Sequence, residues 1–170
     1  MYRKAREVID LHELNMILND AEKLFMRGLK FDPSPYRIYL KLTEIYLRKY
    51  HLFNDNVTHD IENSYSDLLA TDDSFELMQA ADFYYSFLDE STLHFGFAEK
   101  ALTFYKKILD QKLAYINSVT SDCYEMSCSL LELKNYKTAL DAALTSFKAD
   151  STNPYIYLKL PLAYIFNDQY

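Results

Sequence analysis

The chain has 170 residues, a formal net charge of -7, 49% hydrophobic and 25% charged residues, and only 2 glycines and 4 prolines. This balance suits a folded chain, and so few glycines leave no material for a many-stranded β fold or a glycine-rich phosphate loop. The acidity opposes phosphate backbones, so nucleic acid is not an expected partner.

The opening MYRKAREVIDLHELNMIL starts basic and then carries Glu7, Asp10 and Glu13. A secretory signal needs an unbroken apolar run there, so none is expected. No stretch reaches the ~18–20 apolar residues of a membrane helix. The 2 cysteines, without an export signal, point to a reducing, cytoplasmic compartment.

In chain order, helices are expected near 2–16, 18–31, 36–50, 59–71, 74–88, 96–111, 119–133, 136–149 and 154–166. Ser34-Pro35 and Asn153-Pro154 each place a capping side chain before a proline at the first helical position. Asp73-Ser-Phe-Glu76 has the spacing of a capping box. The loops His51–Thr58 and Asp89–Gly96 are longer than tight turns.

The chain also repeats itself. IYLKL occurs at Ile38–Leu42 and again at Ile156–Leu160, each followed four residues later by tyrosine, Tyr46 or Tyr164. A second pattern, small–aromatic–small, marks the alternate helices. It reads Ala21, Phe25 and Gly28, followed by Leu29, Phe31 and Asp32-Pro33. It returns as Ala101, Tyr105, Ile108 and Leu109, and as Tyr136, Ala139, Ala143, Ser146, Phe147 and Asp150. Asp60–Asp73 is a poorer copy, with Ile61, Tyr65, Leu68 and Leu69. Small residues let helices approach, and the aromatics fill the space between them.

These residues resemble the tetratricopeptide repeat, in which antiparallel helix pairs of about 34 residues stack. The resemblance covers nearly the whole chain. The family's glycine on the first helix of each pair is replaced by Thr43, Ala81, Ser127 and Pro161. It implies an all-α, right-handed α-solenoid in a single domain over 1–170. Repeats lie near 2–35, 36–73, 74–113 and 119–153, with an unpaired closing helix at 154–166.

Few residues suggest chemistry. His51 and His59 share a polar loop with Asn54, Asp55 and Asn56, without an established metal spacing, so a solvated loop is the expectation. Cys123 and Cys128 are five apart and match no redox or zinc pair, so both read as small packing residues. Asp72-Asp73 suits a helix start, whereas Asp89-Glu90 sits at the unfavourable helix end and carries no functional reading. No nucleophile elbow or HExxH is present. The expectation is a protein that is not an enzyme and needs no cofactor or metal.

What remains is recognition. The resemblance implies a concave face lined by the first helix of each pair, binding a protein or peptide partner as a scaffold, adaptor or chaperone-like module. In register that face carries Arg3, Arg6 and Asp10, then Arg37, Leu40, Glu44 and Arg48. It continues through Phe75, Met78, Asp82 and Tyr85 to Tyr124, Cys128 and Leu131. The groove would run from basic and mixed to apolar, suiting a partner with an acidic part and a hydrophobic part. Asp10 stands where the family's carboxylate-clamping subset needs a polar donor, so the resemblance does not extend to that subset.

The alternative is a structural unit that self-associates, or a fragment of a longer repeat protein. Its association face would be Tyr155, Leu158, Leu162, Ile165 and Phe166 on the closing helix. A second copy, a partner or further chain is expected to cover it. Pro161 is expected to bend that helix.

Overall fold

The computed structural model describes residues 10–32, 34–111 and 115–168. Among these the chain is all-α, with no strand. The helices are α1 Leu11–Gly28, α2 Tyr36–Phe53, α3 Thr58–Leu69, α4 Ser74–Ser86, α5 Phe97–Asp110, α6 Ile116–Glu132, α7 Tyr136–Ala149 and α8 Ile156–Asp168. A short 3-10 turn, Leu93–Phe95, precedes α5. The chain divides between Ser66 and Asp67, inside α3, into two compact units.

In the N-terminal unit, α1 corrects the expected pair of helices near 2–16 and 18–31. It runs unbroken through Ile17, and residues 1–9 lie outside the described ones. Nothing between Leu14 and Asp20 forces a turn, and Asn19 Nδ2 donates to Asn15 Oδ1 across one helical turn at 3.3 Å. Asp10 caps the helix by accepting from the His12 amide at 3.1 Å. Near its end the expected small position holds. A Cβ on Gly28 would lie 3.2 Å from Ile38 Cδ1, so α1 and α2 approach closely there. Phe31, expected to pack, is 84% exposed, because the helix has ended before it.

Helix α2 starts at Tyr36, as expected from the 36–50 range, but Pro35 is its cap and not its first helical residue. Pro35 occupies the capping position without a side-chain hydrogen bond, and its carbonyl accepts from Ile38 and Tyr39. The helix buries Leu42, Thr43, Ile45, Tyr46 and Leu47. Lys49, also buried, forms an ion pair with Glu22 of α1. Burial, with Glu22 and Asp60 adding negative charge, pushes the Tyr46 hydroxyl up to about 12. His51 falls in the last turn of α2 and His59 in α3, so the connecting loop is only 54–57.

In the C-terminal unit the expected capping box at Asp73 forms in altered shape. Asp73 Oδ1 accepts from the amides of Phe75 and Glu76 at 2.8 and 3.1 Å. Glu76 does not reach back to the Asp73 amide directly. Thr71 Oγ1 relays between them, donating to Glu76 at 2.7 Å and accepting from the Asp73 amide at 3.2 Å.

Helices α4 and α5 pack around Tyr84, whose ring meets Phe97 edge-on at 4.9 Å and stacks with Phe104 at 5.8 Å. Ala80, Ala81, Ala98 and Ala101 are buried where the two helices need small side chains. Asp89-Glu90 acquires a role here. Asp89 Oδ1 accepts from the Ser91 amide and hydroxyl and the Thr92 amide, at 2.7, 2.6 and 3.0 Å. Burial works to raise this carboxyl, but those donors more than offset it and hold it low. Gly96, at φ 66, then turns the chain into α5.

Helices α6 and α7 are fastened by two buried hydroxyls. Ser127 Oγ donates to the Ala139 carbonyl at 2.9 Å, and Ser146 Oγ donates to the Thr120 carbonyl at 2.7 Å. The crossed order of these partners makes the pair antiparallel. The three-residue connection closes α6 with Lys134 at φ 58, while the Asn135 amide reaches back to the Leu130 carbonyl at 2.9 Å.

Helix α8 packs on α7 through a cluster of Ala143, Ile156 and Ala163, with Tyr124, Leu131, Leu140, Phe147 and Leu160 around it. It is begun by Asn153, whose Oδ1 accepts from the Tyr155 amide at 3.0 Å, and it continues across Pro161.

Candidate functional site

Helix α4 carries Phe75, Met78, Gln79, Asp82 and Tyr85 at helical spacing, so they share one face. On α6 a polar stripe, Ser118, Ser121 and Asp122, does the same, while Val119, Cys123, Met126 and Leu130 point the other way into the core. The two faces border one open groove of about 730 Å3, with Tyr115 and Asn117 completing its rim. Its size falls in the range of ligand and peptide clefts, ~300–1,000 Å3.

All four residues expected from α4 therefore line a single depression. Phe75 is 46% exposed at its mouth, whereas Met78 is buried beneath, giving floor rather than contact surface. Tyr115 enters α6 with φ 80, a left-handed conformation that a bulky side chain rarely adopts.

The electrostatics are one-sided. Burial raises the Asp82 carboxyl, opposed by the Tyr105 hydroxyl, which donates to Asp82 Oδ1 at 3.3 Å. Burial likewise lifts Asp122 to about 6, with the charges of Asp82 and Glu125 adding to it. Burial foremost also raises the Tyr85 hydroxyl. Ser129 opposes the shift, and the negative charges of Glu125 and Asp122 reinforce it. Among the described residues neither Asp82 nor Asp122 takes part in an ion pair.

The other expected site residues lie elsewhere. Tyr124 and Leu131 pack against the α7–α8 cluster, and the Tyr124 ring lies 6.2 Å from Tyr155. Cys128 is half-buried beside Tyr124, and both cysteines are free. Burial raises the Cys123 thiol, which makes it a poor nucleophile. On α2 of the other unit, Arg37 is exposed and donates from Nε to Tyr36 Oη at 2.8 Å, and Leu40 is half-buried. Arg48 and Lys41 both pair with Glu44, at 2.8 Å each, so one carboxylate offsets one of the two positive charges. Arg3 and Arg6 lie outside the described residues.

The expected association residues, on α8 and just before it, are exposed, led by Leu158 at 66% and Tyr155 at 62%. Phe166 stacks on Tyr136 at 5.4 Å. The buried side of the helix is narrow, Ile156 and Ala163 with Leu160 half-buried between them.

No group of histidine, cysteine and acidic residues able to hold a metal occurs among the described residues. No described helix is long and apolar enough to cross a membrane. No protein-family model matches the chain, and neither a curated protein nor a solved structure does.

Sequence reasoning missed Ser118, Ser121 and Asp122. The signal was present as polar residues three and four apart on α6, opposite the apolar stripe from Val119 to Leu130.

Proposed function

We propose that the chain is a non-catalytic interaction module of tetratricopeptide type, an acidic cytoplasmic scaffold or adaptor that takes a peptide or helix of a protein partner along the α4–α6 groove. One observation carries this reading. Phe75, Met78, Asp82 and Tyr85, which the repeat register assigns to a concave face, line one open groove of peptide size. The packing order within the C-terminal unit also suits stacked pairs, since α4 lies against α5, α6 against α7, and α8 against α7. The free thiols suit a reducing compartment.

The test is to pan a displayed random-peptide library against the immobilised full chain. Enriched peptides should lose at least about tenfold in affinity on Phe75→Ala or Tyr85→Ala, the size of effect that a groove aromatic contributes. Enriched peptides that bind both variants unchanged, with the far-UV circular dichroism intact, would place recognition elsewhere.

A second reading is favoured by α8, whose Leu158, Leu162 and Ile165 remain exposed beside Tyr155 and Phe166. Contiguous exposed apolar surface of this kind marks an association site, and a second copy would cover it. Light scattering then gives a mass that rises with concentration and returns to the monomer's with Leu158→Asp and Ile165→Asp together. A concentration-independent monomer removes this reading.

A further inference from the structure

The α4–α6 groove holds two half-buried carboxylates, Asp82 and Asp122, facing an aromatic wall. Half-burying a carboxylate costs free energy unless a partner returns it, and among the described residues the one side-chain donor to either is the Tyr105 hydroxyl on Asp82. A third acid, Glu125, adds its charge from the next turn of α6. Three lysines of this unit are engaged by other acids: Lys106 by Asp141, Lys107 by Asp72, and Lys148 by Asp110. The groove thus concentrates negative charge that the described residues leave uncompensated, inside a cleft large enough for several residues of another chain.

Its rim supplies the second half of the recognition. Phe75, Tyr85 and Tyr115 line the same depression, two of them with substantial exposed ring surface. A flat cation can lie against such rings while it donates in parallel to a carboxylate. A guanidinium does both, since it is planar, weakly hydrated and carries donors in a fixed fork. An ammonium gives charge without the stacking, and an acidic side chain would be repelled.

We propose that the α4–α6 groove recognises an arginine side chain of its peptide partner, the guanidinium seated between Asp82 and Asp122 and stacked on the rim aromatics. This rests on the groove being a peptide site, and it reverses the acidic partner expected from the basic residues of the first helices. The arginine supplies the counter-charge that the groove lacks, and the flanking residues of the partner meet Phe75.

The experiment is a nuclear magnetic resonance titration of the full chain with three capped tripeptides, acetyl-Leu-Arg-Leu-amide and its Gln and Glu counterparts. The arginine peptide is expected to shift amides of 75–85 and 115–122, with affinity falling about tenfold for Asp82→Asn and again for Asp122→Asn. Raising salt should weaken it further, and the Glu peptide should leave these amides in place. Equal shifts from all three peptides would overturn the arginine assignment and leave an apolar peptide cleft. A preference for Glu would overturn it in favour of an acidic partner. If none of the three shifts those amides at millimolar concentration, both the arginine assignment and the groove reading fall. Amide spectra of the two Asn variants without peptide establish that each remains folded.

Discussion

Lys107 offers a direct test of how the start of α4 is held. Its ammonium donates to the carbonyls of Leu69 and Thr71 at 2.9 and 2.6 Å, and it lies 2.9 Å from Asp72 Oδ1. Leu69 is the last residue of α3, so its carbonyl has no partner within the helix. Replacing Lys107 by methionine keeps the stem and removes only the charge and its donors. Each charge-assisted bond to a carbonyl contributes about 1.5 kcal/mol at the low end of its range, giving ~3 kcal/mol for two. Water reaching the freed carbonyls should offset about 1 kcal/mol of that, leaving a net loss of ~2 kcal/mol. The Asp72 arm is different. Its side chain is 84% exposed, so the ion pair should contribute less than ~0.5 kcal/mol. Urea unfolding followed by far-UV circular dichroism measures both, read as a change in midpoint at unchanged slope. Lys107→Met should lose ~2 kcal/mol while Asp72→Asn stays within about 0.5 kcal/mol. If Asp72→Asn costs as much as Lys107→Met, the ammonium serves the carboxylate and not the carbonyls, and the reasoning fails.

Two further outcomes follow from local geometry. Lys134 sits at φ 58 and is exposed, so Lys134→Gly should stabilise by about 0.5–1 kcal/mol, the relief of a left-handed side chain less the added unfolded-state freedom, again by urea unfolding. Asp122 is raised to about 6 from 3.8 by burial first, with Asp82 and Glu125 adding. The folded state therefore holds this proton more tightly than the unfolded state. The associated stability is fully present below pH 4 or so and is lost as pH rises through about 6. Discounted for partial exposure, the loss is about 1 kcal/mol, so Asp122→Asn should stabilise by that amount at pH 8 and by almost nothing at pH 4. The groups facing it are Asp82 and Tyr85 on α4, Tyr105 on α5 and Glu125 on its own helix. An equal gain at both pH values would show that the carboxyl is not perturbed.

The helices of the C-terminal unit were legible because their boundary signals are local. Asp73 caps α4, and the helices expected at 96–111 and 136–149 match Phe97–Asp110 and Tyr136–Ala149. The break expected in α1 failed for the opposite reason. A repeat register demanded a turn near Ile17, but the residues there form a helix on their own terms. The groove was half legible. Its α4 side came from register alone, but α6 begins at Ile116, three residues before the expected start. A three-residue offset is nearly one full turn, about 4.5 Å along the helix, so Tyr124 was named one turn beyond Ser121, outside the groove. Tyr115 gave no signal at all, because its backbone conformation is one that glycine or asparagine normally marks.

The two buried hydroxyls between α6 and α7 have a consequence for binding. Thr120 and Ser127 are seven residues apart on one helix, as are Ala139 and Ser146 on the other, so the bonds span two turns. A slip of one helix along its neighbour by a single turn, about 5.4 Å, would break both at once. Helix α6 is therefore locked at one height against its partner, and Asp122 is set at that height with it. The carboxylate wall stands in place before any occupant arrives, so an incoming side chain need not bear the ordering of that wall as part of its own binding free energy.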